Sequence, residues 1–108
     1  VGGEGVSGSE VEAAVKAAGG INDAAVVGRK DDTWGEVPVA FVELKDTSEN
    51  PEVVKQRVMD HCRSVLAKFK VPHDVVVLDE LPRVGFGKLS KVKIREMVAT
   101  IGKQSEKV

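Results

Sequence analysis

The chain has 108 residues, 42% hydrophobic and 31% charged, with a formal net charge of −1. That is enough for one domain around one core, of the composition usual for a soluble globular protein. The small net charge excludes binding of polyanions by bulk attraction, the single cysteine, Cys62, excludes an intramolecular disulfide, and no run approaches the roughly 20 apolar residues of a membrane helix.

The charge is nevertheless uneven. Residues 1–60 carry six Lys/Arg against twelve Asp/Glu, and residues 61–108 carry ten against five. The lone cysteine fits a reducing compartment, and no signal peptide is visible, so a cytoplasmic location is expected. Because the sequence starts at Val1 and not Met, it reads as an excised domain or a processed piece.

In chain order, residues 1–8 form a glycine-rich entry loop, Val1-Gly2-Gly3-Glu4-Gly5-Val6-Ser7-Gly8. Ser7 with Glu10 makes a capping box that predicts a helix. Val11, Ala14, Val15 and Ala18 fall at i, i+3, i+4 and i+7 on one stripe of it, and Gly19-Gly20 ends it. Ile21 to Gly28, containing Ala24-Ala25-Val26-Val27, predicts a buried strand. A polar turn from Arg29 to Gly35 holds the only tryptophan, Trp34. Val37 to Leu44 predicts a second strand, apolar on both faces (Val37, Val39, Phe41; Ala40, Val42, Leu44) and therefore covered on each side. The short connection favours an antiparallel pair, and Pro38 points to an edge or a bulge.

Asn50 reads as an N-cap with Pro51 at the first helical position. The helix is expected to reach about Lys68, with Val54, Val58, Cys62, Val65, Leu66 and Phe69 on its inner face, and Val71-Pro72 stops it. Asp74 to Leu78 predicts a short strand. A turn-rich loop over residues 81–91 follows, and then a helix from Ser90 with Ile94, Met97, Val98 and Ile101 on one face. Leu89 and Ile94 are spaced as a hydrophobic staple around Ser90. Residues 102–108 read as a frayed tail. The order α-β-β-α-β-loop-α predicts a small α+β domain: a central sheet made of an antiparallel hairpin plus a third strand, flanked by about three helices.

The chemistry concentrates in Leu81-Pro82-Arg83-Val84-Gly85-Phe86-Gly87-Lys88-Leu89-Ser90-Lys91. Glycines on both sides of Phe86 allow a mobile backbone, and Lys88 is a compact charge on a flexible stem, suited to anionic oxygens that change during a reaction. Lysines in a first helical turn face the positive end of the helix dipole, which an anion would offset. By itself the loop reads most simply as a solvated basic surface. Gly87-Lys88 is not a P-loop, since Pro82 and Leu89 stand where that motif needs Gly and Ser/Thr. His61 and His73 have no partner at catalytic spacing and read as structural, and Cys62 reads as core. Glu10 and Glu12 point apart on a helix. No Cys/His cluster suggests a metal. With no Tyr and three Phe, a nucleic-acid platform is not supported.

Four blocks in register resemble the C-terminal domain of adenylate-forming (AMP-binding) acyl-CoA synthetases and ligases. Gly2-Gly3-Glu4-Gly5-Val6-Ser7 with Glu10-Val11-Glu12 is similar to the family's G-G-E-N-I-S…E-V-E. Ala24-Ala25-Val26-Val27-Gly28 and Trp34-Gly35-Glu36-Val37-Pro38-Val39-Ala40-Phe41-Val42 resemble the next block, and Phe69-Lys70-Val71-Pro72 its F-K-x-P. Asp79-Glu80-Leu81-Pro82-Arg83 to Gly87-Lys88-Leu89 resembles the closing P-[RK]-T-x-T-G-K-[IL]. The likeness runs from Gly2 to about Arg95.

The resemblance implies a mobile lid, residues 1–108, on a larger N-terminal domain that lies outside this sequence and holds most of the ATP and acid pocket. A carboxylic acid and ATP would give an acyl-adenylate and pyrophosphate, and coenzyme A would then take the acyl group. Mg2+ is expected in the full-length enzyme and not on this domain. Lys88 matches the family's catalytic lysine. Gly2, Gly3 and Glu4 match the loop that lines the pantetheine tunnel, and the hinge lies a few residues before them. Val84 and Phe86 replace two family threonines, and Gly5 replaces an asparagine. Alone, the domain is expected to be inactive. Two competing readings are a lid that serves a carrier protein, and a non-catalytic module docking a partner through Trp34 and the basic tail.

Overall fold

The computed structural model describes residues 8–33, 35–85 and 87–106. In order they form α1 (Gly8–Lys16), β1 (Ile21–Asp31), β2 (Gly35–Leu44), α2 (Pro51–Val65), a 3-10 turn (Lys68–Lys70), β3 (Asp74–Leu78), β4 (Arg83–Val84), β5 (Lys88–Leu89) and α3 (Lys91–Glu106). This is the expected α+β architecture. A three-stranded sheet in the order β1-β2-β3 is accompanied by a two-stranded hairpin, β4-β5.

β1 and β2 pair antiparallel, with Ala25 opposite Phe41 and Gly28 opposite Pro38. β3 lies parallel to β2, with Phe41 opposite Val76. A parallel return needs a crossover, and α2 supplies it. Because β2 is apolar on both faces, it is buried from Val37 to Leu44. On one side Ala24, Val26, Ala40, Val42 and Val75 meet α1 (Val11, Val15) and α2 (Val54, Val58, Cys62). On the other, Ala25, Val27, Val39 and Phe41 meet Leu81 and α3 (Ile94, Val98). Burying one Val or Leu side chain contributes about 1.5–3 kcal/mol, so the two small cores together hold the sheet between its helices.

The caps are as the sequence predicts where the chain is described. The Glu52 N–H donates to Asn50 Oδ1 at 2.9 Å, and the Lys93 N–H donates to Ser90 Oγ at 3.3 Å. Leu89 packs with Ile94 in the second core, as a staple should. Ser7 of the expected capping box lies outside the described residues.

Four expectations are corrected. Pro38 is on the central strand, not at an edge of the sheet or on a bulge. It is tolerated because β3 begins only opposite Val39. The Pro38 carbonyl accepts from the His73 N–H at 2.7 Å, so its ring nitrogen faces the same side, beyond the ladder, where no donor is needed. α2 stops at Val65, three residues short of Lys68, when Leu66 turns extended (φ −109°, ψ 149°). Val65 and Phe69 are consequently 55% and 62% exposed. Residues 81–91 are not simply a loop but hold the β4-β5 hairpin. Finally, α3 stays helical through Gly102 to Glu106; an interior glycine costs about 1 kcal/mol but does not end a helix.

Candidate functional site

The β4-β5 hairpin carries Lys88, and its base is tied down on both sides. Leu81 is 1% exposed and anchors the entry in the second core. At the exit, the Ser90 N–H donates to the Pro82 carbonyl at 2.9 Å. Between them the strands pair Arg83 with Leu89 and Val84 with Lys88. Between the strands, Gly85 (φ +53°) and Gly87 (φ +86°) take backbone angles that side chains disfavour. Lys88 projects from this hairpin as an exposed residue. Among the described residues its ammonium has no hydrogen-bond or ion-pair partner.

A buried acid underlies the hairpin. Glu43, near the end of β2, is 4% exposed. Its Oε2 accepts from the Leu81 N–H at 2.8 Å. Its Oε1 accepts from Asn22 Nδ2 and from Arg83 Nη2, both at 2.6 Å. Arg83 spreads its other nitrogen: Nη1 donates to the Gly87 carbonyl at 3.0 Å and to Asp23 Oδ2 at 3.3 Å. Asp23 also meets Lys16 at 3.3 Å, and its side chain accepts from the Ala24 N–H at 2.8 Å.

Burial alone would push the Glu43 carboxyl up. The Leu81 N–H, Asn22 and the Arg83 guanidinium outweigh it and hold the group below the usual carboxylate range. Asp23 is likewise held low, burial being overcome by the Ala24 N–H, Lys16 and Arg83. The Glu43 hydrogen bonds, opposed by burial and aided by the charges of Glu43 and Asp23, raise Arg83. Both carboxylates and the guanidinium are therefore charged at neutral pH. A polar cleft opens beside them, lined in part by Lys45, Asp79, Glu80 and Gly87.

The ion pairs continue across the molecule. Glu12 on α1 meets Lys16 at 3.7 Å and Lys91, the first residue of α3, at 3.5 Å. The anion expected to offset a lysine at the positive end of the α3 dipole is thus supplied internally. Glu10 turns the other way, to Lys70 at 2.8 Å, so the two acids do point apart.

Of the expected site residues, Lys88 stands exposed on the hairpin, while Gly2, Gly3 and Glu4 lie outside the described residues, as do Trp34 and Phe86. His61 is on α2, away from the hairpin, and His73 is held at its backbone by Pro38. Cys62 is fully buried, and burial pushes its thiol up. The described residues hold no group of three or more His, Cys, Asp or Glu placed to bind a metal ion, and none of their helices is long and apolar enough to cross a membrane.

Sequence reasoning missed Asn22, Asp23 and Glu43, and gave Arg83 no role. A signal existed for Glu43. It stands between Val42 and Leu44 in a strand read as buried on both faces, and a carboxylate there requires charged or hydrogen-bonding partners. Chemically, the arrangement offers one solvent-facing ammonium on a short arm with a fixed base, able to meet an anion brought to it from outside.

Comparison with known proteins points to one family. Residues 10–88 match the family described as AMP-binding enzyme C-terminal domain. The chain is 42% identical over 101 residues to the peroxisomal trans-cinnamate:CoA ligase of Petunia hybrida, covering 94% of this chain and 17% of that enzyme. It is 41% identical over 101 residues to a 2-methylpropanoate–CoA ligase of Humulus lupulus, covering 94% and 18%. Among solved structures, it superposes with a TM-score of 0.76 and 32% identity on a fatty acyl CoA synthetase of Mycobacterium tuberculosis, covering 92% of this chain and 19% of that one. An anthranilate CoA ligase in complex with anthranoyl-AMP gives 0.78 and 32%, covering 91% and 19%. The chain therefore spans under a fifth of the length of these relatives.

Proposed function

The chain belongs to the AMP-binding enzyme C-terminal domain family, and from that premise we propose that it is the mobile lid of an ATP-dependent acid–thiol ligase, an acyl-CoA synthetase. Its N-terminal partner domain would hold ATP and the carboxylic acid. In the first half-reaction an acid oxygen attacks the α-phosphorus, the bond to the β-phosphate oxygen breaks, and pyrophosphate leaves with the displaced electron pair. Lys88 bridges the acid carboxylate and the α-phosphate as negative charge moves between them. The group is worth most in a closed, water-poor site. The observation that carries this reading is the exposed Lys88 on a glycine-turned hairpin with a fixed base.

In the second half-reaction the lid turns and Gly2, Gly3 and Glu4 line the approach of the pantetheine thiol. The sulfur attacks the acyl carbonyl, AMP departs, and the thiol proton passes to solvent or to AMP. Coenzyme A is favoured over a carrier protein as acceptor because the relatives above are named as CoA ligases or synthetases. Mg2+ belongs with ATP in the full-length enzyme. A cytoplasmic enzyme is proposed; the Petunia relative is named peroxisomal, and imaging the tagged full-length protein separates the two.

The test is a split of half-reactions in the full-length enzyme. Lys88→Ala should lower acid-dependent ATP–pyrophosphate exchange by about 100-fold or more, the scale of losing one preorganised electrostatic group. Thioester formation from supplied acyl-adenylate should stay near wild type. Equal losses in both steps contradict the assignment.

A further inference from the structure

Two residue pairs make up the whole β4-β5 ladder, too little to fix its own shape in water. The shape is imposed from beneath. The buried Glu43 takes the Leu81 N–H on one oxygen and Arg83 and Asn22 on the other. Arg83 passes the constraint on by donating to the carbonyl of Gly87, the residue bonded to Lys88. Asp23 holds the same guanidinium nitrogen from the β1 side. One buried carboxylate thus fixes both strands of the hairpin, the first through the backbone of Leu81 and the second through Arg83.

We infer that Glu43 and Arg83 are positioning residues for Lys88, setting the direction from which its ammonium reaches the reacting oxygens. This rests on the reading of Lys88 as the adenylating lysine. Charge alone is not what the site needs from residue 83. Two separate nitrogens of one planar group serve Glu43 on one hand and Asp23 and Gly87 on the other. A lysine there would keep the cation but offer a single nitrogen, and could not span all three. Glu43 and Arg83 touch no substrate in this scheme; their effect passes wholly through the hairpin.

Four variants of the full-length enzyme test it: Lys88→Ala, Arg83→Lys, Glu43→Gln, and Arg83→Lys combined with Lys88→Ala. Each is assayed for ATP–pyrophosphate exchange and for thioester formation from supplied acyl-adenylate, at a temperature where circular dichroism shows it folded. Arg83→Lys and Glu43→Gln should each lower the kcat of exchange about 10–100-fold, the range for misplacing a catalytic group by an ångström or less. KM for ATP and for the acid should stay within about 3-fold and transfer within about 2-fold of wild type, since only an interaction of the first transition state is lost. The double variant should be no slower than Lys88→Ala, because a misplaced group that is already gone costs nothing further.

Wild-type exchange in Arg83→Lys and Glu43→Gln, with Lys88→Ala impaired, overturns the positioning role and leaves Lys88 standing. Wild-type exchange in Lys88→Ala overturns both. Multiplying losses in the double variant, or parallel loss of both half-reactions in the single ones, shows a purely structural network and also overturns it. If Glu43→Gln does not fold, Arg83→Lys and its double variant decide the matter alone.

Discussion

Glu43 is an acid in a strand otherwise built of Val, Ala, Phe and Leu, and its charge has consequences that can be measured. Its folded-state pKa, like that of Asp23, is lowered. Such a group contributes stability that is fully present above its unfolded pKa, about 4.3 for Glu and 3.9 for Asp, and lost as pH falls through the lower folded value. Thermal melts of the chain should therefore be flat from neutral pH to about pH 5 and fall below about pH 4. Glu43→Gln should shrink that acid-induced fall, and an unchanged profile would show that Glu43 does not carry it. Glu43→Ala goes further, leaving the Leu81 N–H without its acceptor. It should cost about 1–3 kcal/mol in urea unfolding. Single residues divided sharply in what the sequence disclosed. Cys62 is legible as core from its place on the α2 stripe, and Lys88 as an exposed cation from the turn-rich stretch before it. For Glu43 the sequence shows only an acid inside a buried strand; its partners lie about 20 and 40 residues away, and pairing across that distance leaves no local pattern.

Elements with a sustained period or a recognisable cap were readable. β1 and β2 announced themselves by apolar runs and a short polar connection, and α2 by Asn50-Pro51. Replacing Asn50 with Ala removes the acceptor for the Glu52 N–H and should lower stability by about 1 kcal/mol, read as a shifted urea midpoint with unchanged slope. The overrun at the far end of α2 has a physical cause. Val65 and Phe69 continue the helical spacing, but periodicity reports where a side chain would point if the helix went on, and the backbone turns out at Leu66. The β4-β5 hairpin was invisible for a different reason. Strands of two residues have no period to detect, and this pair is held from outside its own sequence by Glu43, which takes the Leu81 N–H and the Arg83 guanidinium. Pro38 misled because the rule it follows is local. Its nitrogen needs only an unpaired stretch beside it, and β3 starts one residue too late to require a donor there.

At the scale of the molecule, α1 and α2 cover one face of the sheet and α3 the other, while the hairpin that bears Lys88 stands beside the sheet and reaches the second core only through Leu81 at its entry and Leu89 on β5. That placement suits a lid, which must keep its own fold while presenting one arm to another body. The family was the most legible part, because four motif blocks lie in register along the chain, and the family match over residues 10–88 covers three of them and the end of the first. Since the chain spans under a fifth of its relatives, the 108-residue chain by itself should show no acid-dependent ATP–pyrophosphate exchange; exchange above background would place a complete active site within it. The central claim is that the Lys88 ammonium meets the adenylate. It is tested most directly by amine labelling and mass spectrometry of the full-length enzyme, with and without a non-hydrolysable acyl-adenylate analogue. Lys88 should be protected when the analogue is bound, while Lys30, exposed at the opposite end of β1 from Asp23, keeps reacting. Lys88 labelling as fast with the analogue as without it would contradict the account.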